Sequence, residues 1–149
     1  MSDRNSAIAV IKSMIVPYLR AAGFKGSFPH FRRPNKDNGF DLLSFQFDKW
    51  GGAFYIELSV AYPYRAEYKN CYLVGLKPAE DEIKKLDVGN TLVRYRLSGN
   101  DGDWFRYETI GIEAAVSLAK AAFIRELTWY QNPPIYDELE KRKARGLIY

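Results

Sequence analysis

The period of the apolar positions changes along the chain, and each change marks an element. Near the start, Ile8, Ile11, Ile15, Tyr18, Leu19 and Ala22 recur at steps of three and four, which makes one helical stripe. Pro17 falls inside it, removes a backbone donor, and predicts a kink or a restart of the last turn. Gly23 closes the helix as a left-handed cap. The period then drops to two. Ser27 to Arg33 reads as one short strand, which Pro29 restricts to an edge or a bulge. "PNKDNG" is a turn by composition. "FDLLSFQFDKW" sends Leu43, Phe45 and Phe47 to one face, and Gly51-Gly52 supplies a tight reversal. "AFYIELSVAY" alternates most cleanly. Phe54, Ile56, Leu58, Val60 and Tyr62 point inward, and Tyr55, Glu57 and Ser59 point outward. These two strands predict a central antiparallel hairpin.

Further on, "CYLVGL" reads as a strand and "AEDEIKKL" as one or two helical turns. The helical period returns from Ile112 to Tyr130, with Ile112, Val116, Ala119, Phe123, Leu127 and Tyr130 as its buried stripe. Pro133-Pro134 stops it, and Pro134 starts a last, mostly charged helix in "IYDELEKRKARG". The pattern predicts an α+β fold in a single domain, residues 1–149. An antiparallel meander of five or six strands carries an N-terminal helix and C-terminal helices on one face.

The stretch "GNTLVRYRLSGNDGDWFRYET" holds the sharpest candidate chemistry. Asn100-Asp101-Gly102 suits a three-residue hairpin loop. That register sets Leu97 opposite Phe105 and Tyr95 opposite Tyr107 on the core face. The other face receives Arg96 opposite Arg106, Arg94 opposite Glu108, and Trp104 near the turn. Opposed arginines repel, so Glu57, Glu108 or a bound anion is expected between Arg96 and Arg106. The plain reading is a solvated sheet face laced with ion pairs. The functional reading is a face that binds an anion or a protein, because arginine beside tryptophan and tyrosine is the usual composition of an interface hot spot.

Composition narrows the partners. Of 149 residues, 47% are hydrophobic and 27% charged, as in ordinary globular chains, and the 15% aromatic share suits a β-rich interior. Net charge is +4, but the first 36 residues hold seven basic and one acidic side chain, so the excess is local. His30, with Arg32, Arg33 and Lys36, forms a second basic patch able to touch nucleic-acid phosphates, although a lone edge histidine is more often a surface residue. Tyr64, Tyr68 and Tyr72, spaced by four, read as packing rather than base stacking.

A single cysteine, Cys71, excludes an internal disulfide, reads as a packing residue, and fits a cytoplasmic setting. The N-terminus reads as neither signal peptide nor membrane span. No metal or cofactor is expected. The lone histidine has no partner for a metal site, and Glu80, Asp81 and Glu82 splay around a turn. Phosphate loop, dinucleotide fingerprint and serine elbow are all missing, so catalytic residues are not assigned.

The order of pieces resembles a bacterial family catalogued as domain of unknown function 4304. The likeness lies in "VPYLRAAGFK", "HFRR", "LLSFQF" with its Gln46, "FYIELSV", and "RYRL" followed by "DWF", over most of residues 5 to 110. The chain departs from the family in carrying Glu57 where asparagine is usual. The resemblance implies no catalytic residues, and its likeness to small proteins near toxin genes implies an immunity or interaction role. The expectation is therefore a non-enzymatic protein-binding module with a toxin-like partner. The alternatives are an RNA or nucleotide binder using His30, Arg32, Arg33 and Lys36, and an enzyme on an anionic small molecule. That enzyme would clamp its substrate with Arg94, Arg96 and Arg106 and use Glu57 or Glu108 as acid or base.

Overall fold

The computed structural model describes residues 3–36, 39–61, 88, 91, 94–133 and 144–145. The strand read in "CYLVGL", the turns of "AEDEIKKL", Cys71, Tyr62, the tyrosines at 64, 68 and 72, and all of the last helix but Ala144 and Arg145 lie outside these residues.

The first helix is two helices, α1 (Asp3–Met14) and α2 (Val16–Ala21), broken at Ile15. Pro17 sits in the first turn of α2, where its missing N–H would have had no helical partner. The proline thus restarts the helix, one of the two outcomes its position predicts. α2 ends as expected on Gly23, with φ +96°. Gly23 N–H donates to the Arg20 carbonyl and Phe24 N–H to the Leu19 carbonyl, the paired bonds of a Schellman cap. The buried stripe begins on Ala7 rather than Ile8, which is only half-buried, and continues through Ile11, Ile15 and Leu19.

Among the described residues, five strands form one antiparallel sheet in chain order. They are β1 (Lys25–Ser27), β2 (His30–Pro34), β3 (Phe40–Phe47), β4 (Phe54–Ala61) and β5 (Arg94–Arg96). The single strand read from Ser27 to Arg33 is therefore two strands turning at Phe28-Pro29, with β1 at the sheet edge. The central hairpin stands as read. β3 and β4 pair from Phe40↔Ala61 to Phe47↔Phe54, and the loop turns through Gly51 and Gly52 at φ +88° and +83°. Two helices follow, α3 (Tyr107–Ile110) and α4 (Ile112–Glu126), with a 3-10 turn over Leu127–Gln131.

One sheet face carries the core. Phe31, Leu43, Phe45, Phe54, Ile56, Leu58 and Val60 meet Ile11, Ile15 and Leu19 from the N-terminal helices and Val116, Ala119 and Phe123 from α4. α1 lies directly against α4. Burial of this kind stabilises by about 25 cal/mol per Å² of apolar surface, and it is the main driving force for the two-layer packing. The opposite face is partly covered as well. Leu42 and Ala61 are buried there with Val88, so β3 buries side chains on both sides. Simple alternation misses this, because it assumes that one face meets water.

A polar clasp joins the helix layer to the sheet. The Tyr130 hydroxyl donates to the carbonyl of Leu42 near the start of β3. Arg33 lies over the rings of both Phe24 and Tyr130, with its guanidinium carbon 4.6 and 5.2 Å from their centroids. It donates to Asp41 at 2.8 Å and to the Ala22 carbonyl at 3.0 Å.

Candidate functional site

Cross-strand partners in a pleated sheet project to the same face. β5 runs along β4 with Arg96 opposite Glu57, Tyr95 opposite Leu58 and Arg94 opposite Ser59. Leu58 faces the core, so Arg94, Arg96, Glu57 and Tyr55 stand on the outer face. Arg96 donates from Nε to Glu57 Oε2 at 3.1 Å, and its guanidinium lies 3.9 Å from the centre of the Tyr55 ring. Arg94 donates from Nε to the Thr91 carbonyl at 3.0 Å and brings Nη1 within 3.7 Å of Glu57 Oε1. Trp104 meets Tyr55 edge-on at 5.1 Å. One carboxylate thus serves two guanidiniums. Its side chain is 11% exposed, against 43% and 40% for Arg94 and Arg96.

The register read for the second arm of this stretch is wrong. Arg96 does not oppose Arg106, nor Arg94 Glu108. Both arms line up on β4 instead of on each other. Leu97 N–H donates to the Ile56 carbonyl, and Phe105 exchanges backbone bonds with Phe54. Residues 98–104 leave the strand between these contacts, closed by a bridge between Asp101 and Trp104. The second arm then ends, because α3 begins at Tyr107. Tyr107 is not opposite Tyr95. Its hydroxyl accepts from Gly52 N–H at 3.2 Å. Leu97, Phe105 and Tyr107 are buried in the core, as expected, and Tyr95 is packed against it.

Arg106 and Glu108 therefore form a separate cluster. Arg106 donates to Asp101 at 2.7 Å and to Glu108 at 3.0 Å, hydrogen bonds that hold its pKa above the ordinary arginine value. The counter-charge expected between Arg96 and Arg106 is supplied in two pieces, Glu57 for Arg94 and Arg96, and Asp101 with Glu108 for Arg106.

The second basic patch splits as well. Arg33 belongs to the clasp described above and points to the core side, paired with Asp41. Lys36 is exposed in the turn after β2. His30 and Arg32, in contrast, stand on the same outer face as the arginines of β5. One cross-strand row reads Ser27, His30, Ser44, Glu57, Arg96. The row beside it reads Lys25, Arg32, Leu42, Ser59, Arg94. Two groups of residues that lie some sixty positions apart in the chain become two ends of one surface. Tyr55 is the residue this surface adds to those singled out from the sequence. The alternation of β4 had placed it outward beside Glu57, but only the pairing with β5 puts an arginine on its ring. Among the described residues no three histidine, cysteine or carboxylate side chains gather as metal ligands, and no helix is long and apolar enough to cross a membrane.

A five-stranded antiparallel sheet with an N-terminal helix pair and C-terminal helices defines an α+β protein. The family described as Domain of unknown function (DUF4304) matches residues 15–110, nearly two thirds of the chain, and the chain belongs to that family. The matched region contains His30, Arg32, Glu57, Arg94, Arg96 and Trp104. No curated protein and no solved structure matched the chain.

Proposed function

We propose that the chain is a non-enzymatic protein-binding module that docks a partner on its outer sheet face, in the manner of a cytoplasmic immunity protein neutralising a toxin. The observation that carries the reading is the stack of Arg96 on Tyr55, with Trp104 against the same ring. Arginine, tyrosine and tryptophan are the side chains that most often dominate binding energy at interfaces. Here they are held in place before any partner arrives, which lowers the entropy lost on docking. Two arginines share one carboxylate, so the cluster keeps a net positive charge and favours an acidic partner surface.

Two alternatives are less well supported. A catalytic role for Glu57 would require a carboxylate open to a substrate, whereas this one is nearly buried and engaged by two guanidiniums. A nucleic-acid role for the His30 patch loses Arg33 to the clasp. The test is a pull-down of the purified chain against the products of its neighbouring genes. A partner retained by the wild type and released by Arg96→Ala supports the reading. If none of those products is retained, the reading fails.

A further inference from the structure

The loop between β3 and β4 presents the most exposed large apolar side chain among the described residues. Trp50 is 85% exposed, whereas Ile110, Leu118 and Ile124 keep half or more of their surface covered. Packing within the chain does not account for this indole, yet the backbone that carries it is closely held. Asp48 Oδ1 accepts from Trp50 N–H at 3.0 Å, and the Asp48 carbonyl accepts from Gly51 N–H at 2.9 Å and from Arg4 Nη2 at 3.3 Å. Gly52 N–H donates to the Tyr107 hydroxyl at 3.2 Å, and its carbonyl accepts from Glu108 N–H at 3.1 Å. We propose that Trp50 is an anchor that enters an apolar cleft on a protein partner. The proposal rests on the protein-docking reading and adds the contact that dominates it and the chemistry the partner must offer.

A loop held at both ends loses little freedom on docking, and tryptophan is among the side chains most enriched where interface energy concentrates. The adjoining sheet face is open at this end. Gln46 is exposed beside its cross-strand partner Tyr55, whereas Leu42, Ala61 and Val88 are buried toward the other end. At about 3.4 Å per strand residue, Tyr55 lies about 10 Å from Gly52, so the loop tip continues the patch of Arg96, Tyr55 and Trp104. The charged groups that contacts among the described residues tie to this corner are balanced. Lys49, with its ammonium 5.1 Å from the centre of the Trp50 ring, stands with Arg4 and Arg106 against Asp48, Asp101 and Glu108. A nucleic acid or an anionic membrane draws its affinity from a basic excess, which this corner lacks. A protein cleft needs no such excess. It needs apolar walls for the indole and an acceptor for its N–H.

The experiment titrates the full chain with each purified product of its neighbouring genes, and separately with phosphatidylglycerol vesicles and a mixed-sequence oligoribonucleotide. Affinity is read by calorimetry, and tryptophan emission is compared between the wild type and Trp50→Phe. Circular dichroism checks that every variant is folded. The expected result is a gene product whose binding shifts the Trp50 emission to the blue and weakens by about thirtyfold or more in Trp50→Ser, the range of an interface anchor. Ile124→Ser, which removes an exposed apolar side chain on α4, should leave that affinity unchanged. An equal loss with Ile124→Ser would mean unspecific apolar adhesion and would overturn the proposal. A product that binds Trp50→Ser as tightly as the wild type but is lost with Arg96→Ala would also overturn it, while leaving the protein-docking reading intact. A loss with Trp50→Ser and none with Arg96→Ala would support the anchor and remove the sheet face from that reading. A Trp50-dependent response to the vesicles or the oligoribonucleotide, with no protein bound, would assign the tip to a membrane or a nucleic acid and overturn both, as would no response to any of the three.

Discussion

Glu57 sits at the point where two cations, an aromatic ring and a central strand meet. It is nearly buried, and the guanidiniums of Arg94 and Arg96 offset its cost of desolvation. Glu57→Gln would remove the carboxylate that those two cations share. It should lower stability by about 1–2 kcal/mol in urea denaturation, a range set by charged hydrogen bonds in partly exposed sites. Arg96→Ala removes a half-exposed side chain and should cost less than about 1 kcal/mol. A larger loss for Arg96→Ala than for Glu57→Gln would show that the arginine is the structural member of the pair. The role of Glu57 as counter-ion was legible in the sequence, because strand alternation turned it outward and the arginines needed a partner. Its exclusive service to β5 was not legible, since that depends on which strand lies beside β4.

Two tyrosines extend the residue-scale account to alkaline pH. Hydrogen bonding to Glu126, then burial, raises the pKa of Tyr95, and burial, then the Asp41 charge, pushes that of Tyr130 well above the usual value. Both phenols therefore keep their protons in the folded chain at a pH where unfolded tyrosines have lost theirs. The sign follows directly. The stabilisation is fully present below about pH 10 and is lost as pH rises beyond it. Thermal melts between neutral pH and pH 11 should show this decline, and Tyr130→Phe should flatten it. An identical alkaline decline in Tyr130→Phe would assign the effect to other groups.

At the scale of elements, the excursion between Leu97 and Phe105 decides what the outer face can present. It returns the chain to the β4 edge after its departure and sets Trp104 against Tyr55. Gly99 makes this possible without a positive φ. A Cβ there would run into the carbonyl of Trp104 and the amide of Phe105, and both are backbone atoms that cannot swing aside. Gly99→Ala should cost about 1–3 kcal/mol, as overpacking does, and should change the tryptophan fluorescence in the region of Trp104. Wild-type stability and spectrum in this variant would mean that the excursion relaxes freely. The sequence could not distinguish this shape from a hairpin. Leu97, Phe105 and Tyr107 reach the core in either arrangement, so the apolar pattern is the same for both. The glycines and Asn100-Asp101 mark a turn without stating which strand each arm joins. β3 and β4 were legible because eight residues of alternation in each leave only one register that keeps both apolar sets inside. Their loop, with its two positive-φ glycines, agrees with that register.

At the scale of the molecule, the sheet separates two kinds of surface. The helix side is an apolar layer in which strand and helix residues are mutually buried. Leu58→Ala and Phe123→Ala, from opposite sides of that layer, should each destabilise by about 2–5 kcal/mol in denaturant titrations. Unchanged midpoints for both would place the core elsewhere. The outer side holds the buried cluster of Leu42, Ala61 and Val88, and among the described residues it carries Arg32 on β2 and Arg94 and Arg96 on β5. The two basic clusters looked unrelated along the chain because nothing local in a sequence encodes which strands end up side by side.

The clasp between helix and sheet has a consequence for how the molecule opens. The Tyr130 hydroxyl reaches a backbone carbonyl near the start of β3, and the Arg33 side chain lies against rings from two separate segments. The end of the helix layer cannot lift away from the strands without breaking the Tyr130 hydrogen bond, the ring contacts of Arg33 and its bond to the Ala22 carbonyl together. Local breathing at that end is therefore coupled to loss of the sheet's own protection. Amide protons of α4 and of β3 should exchange through one shared opening, with a common free energy, rather than element by element.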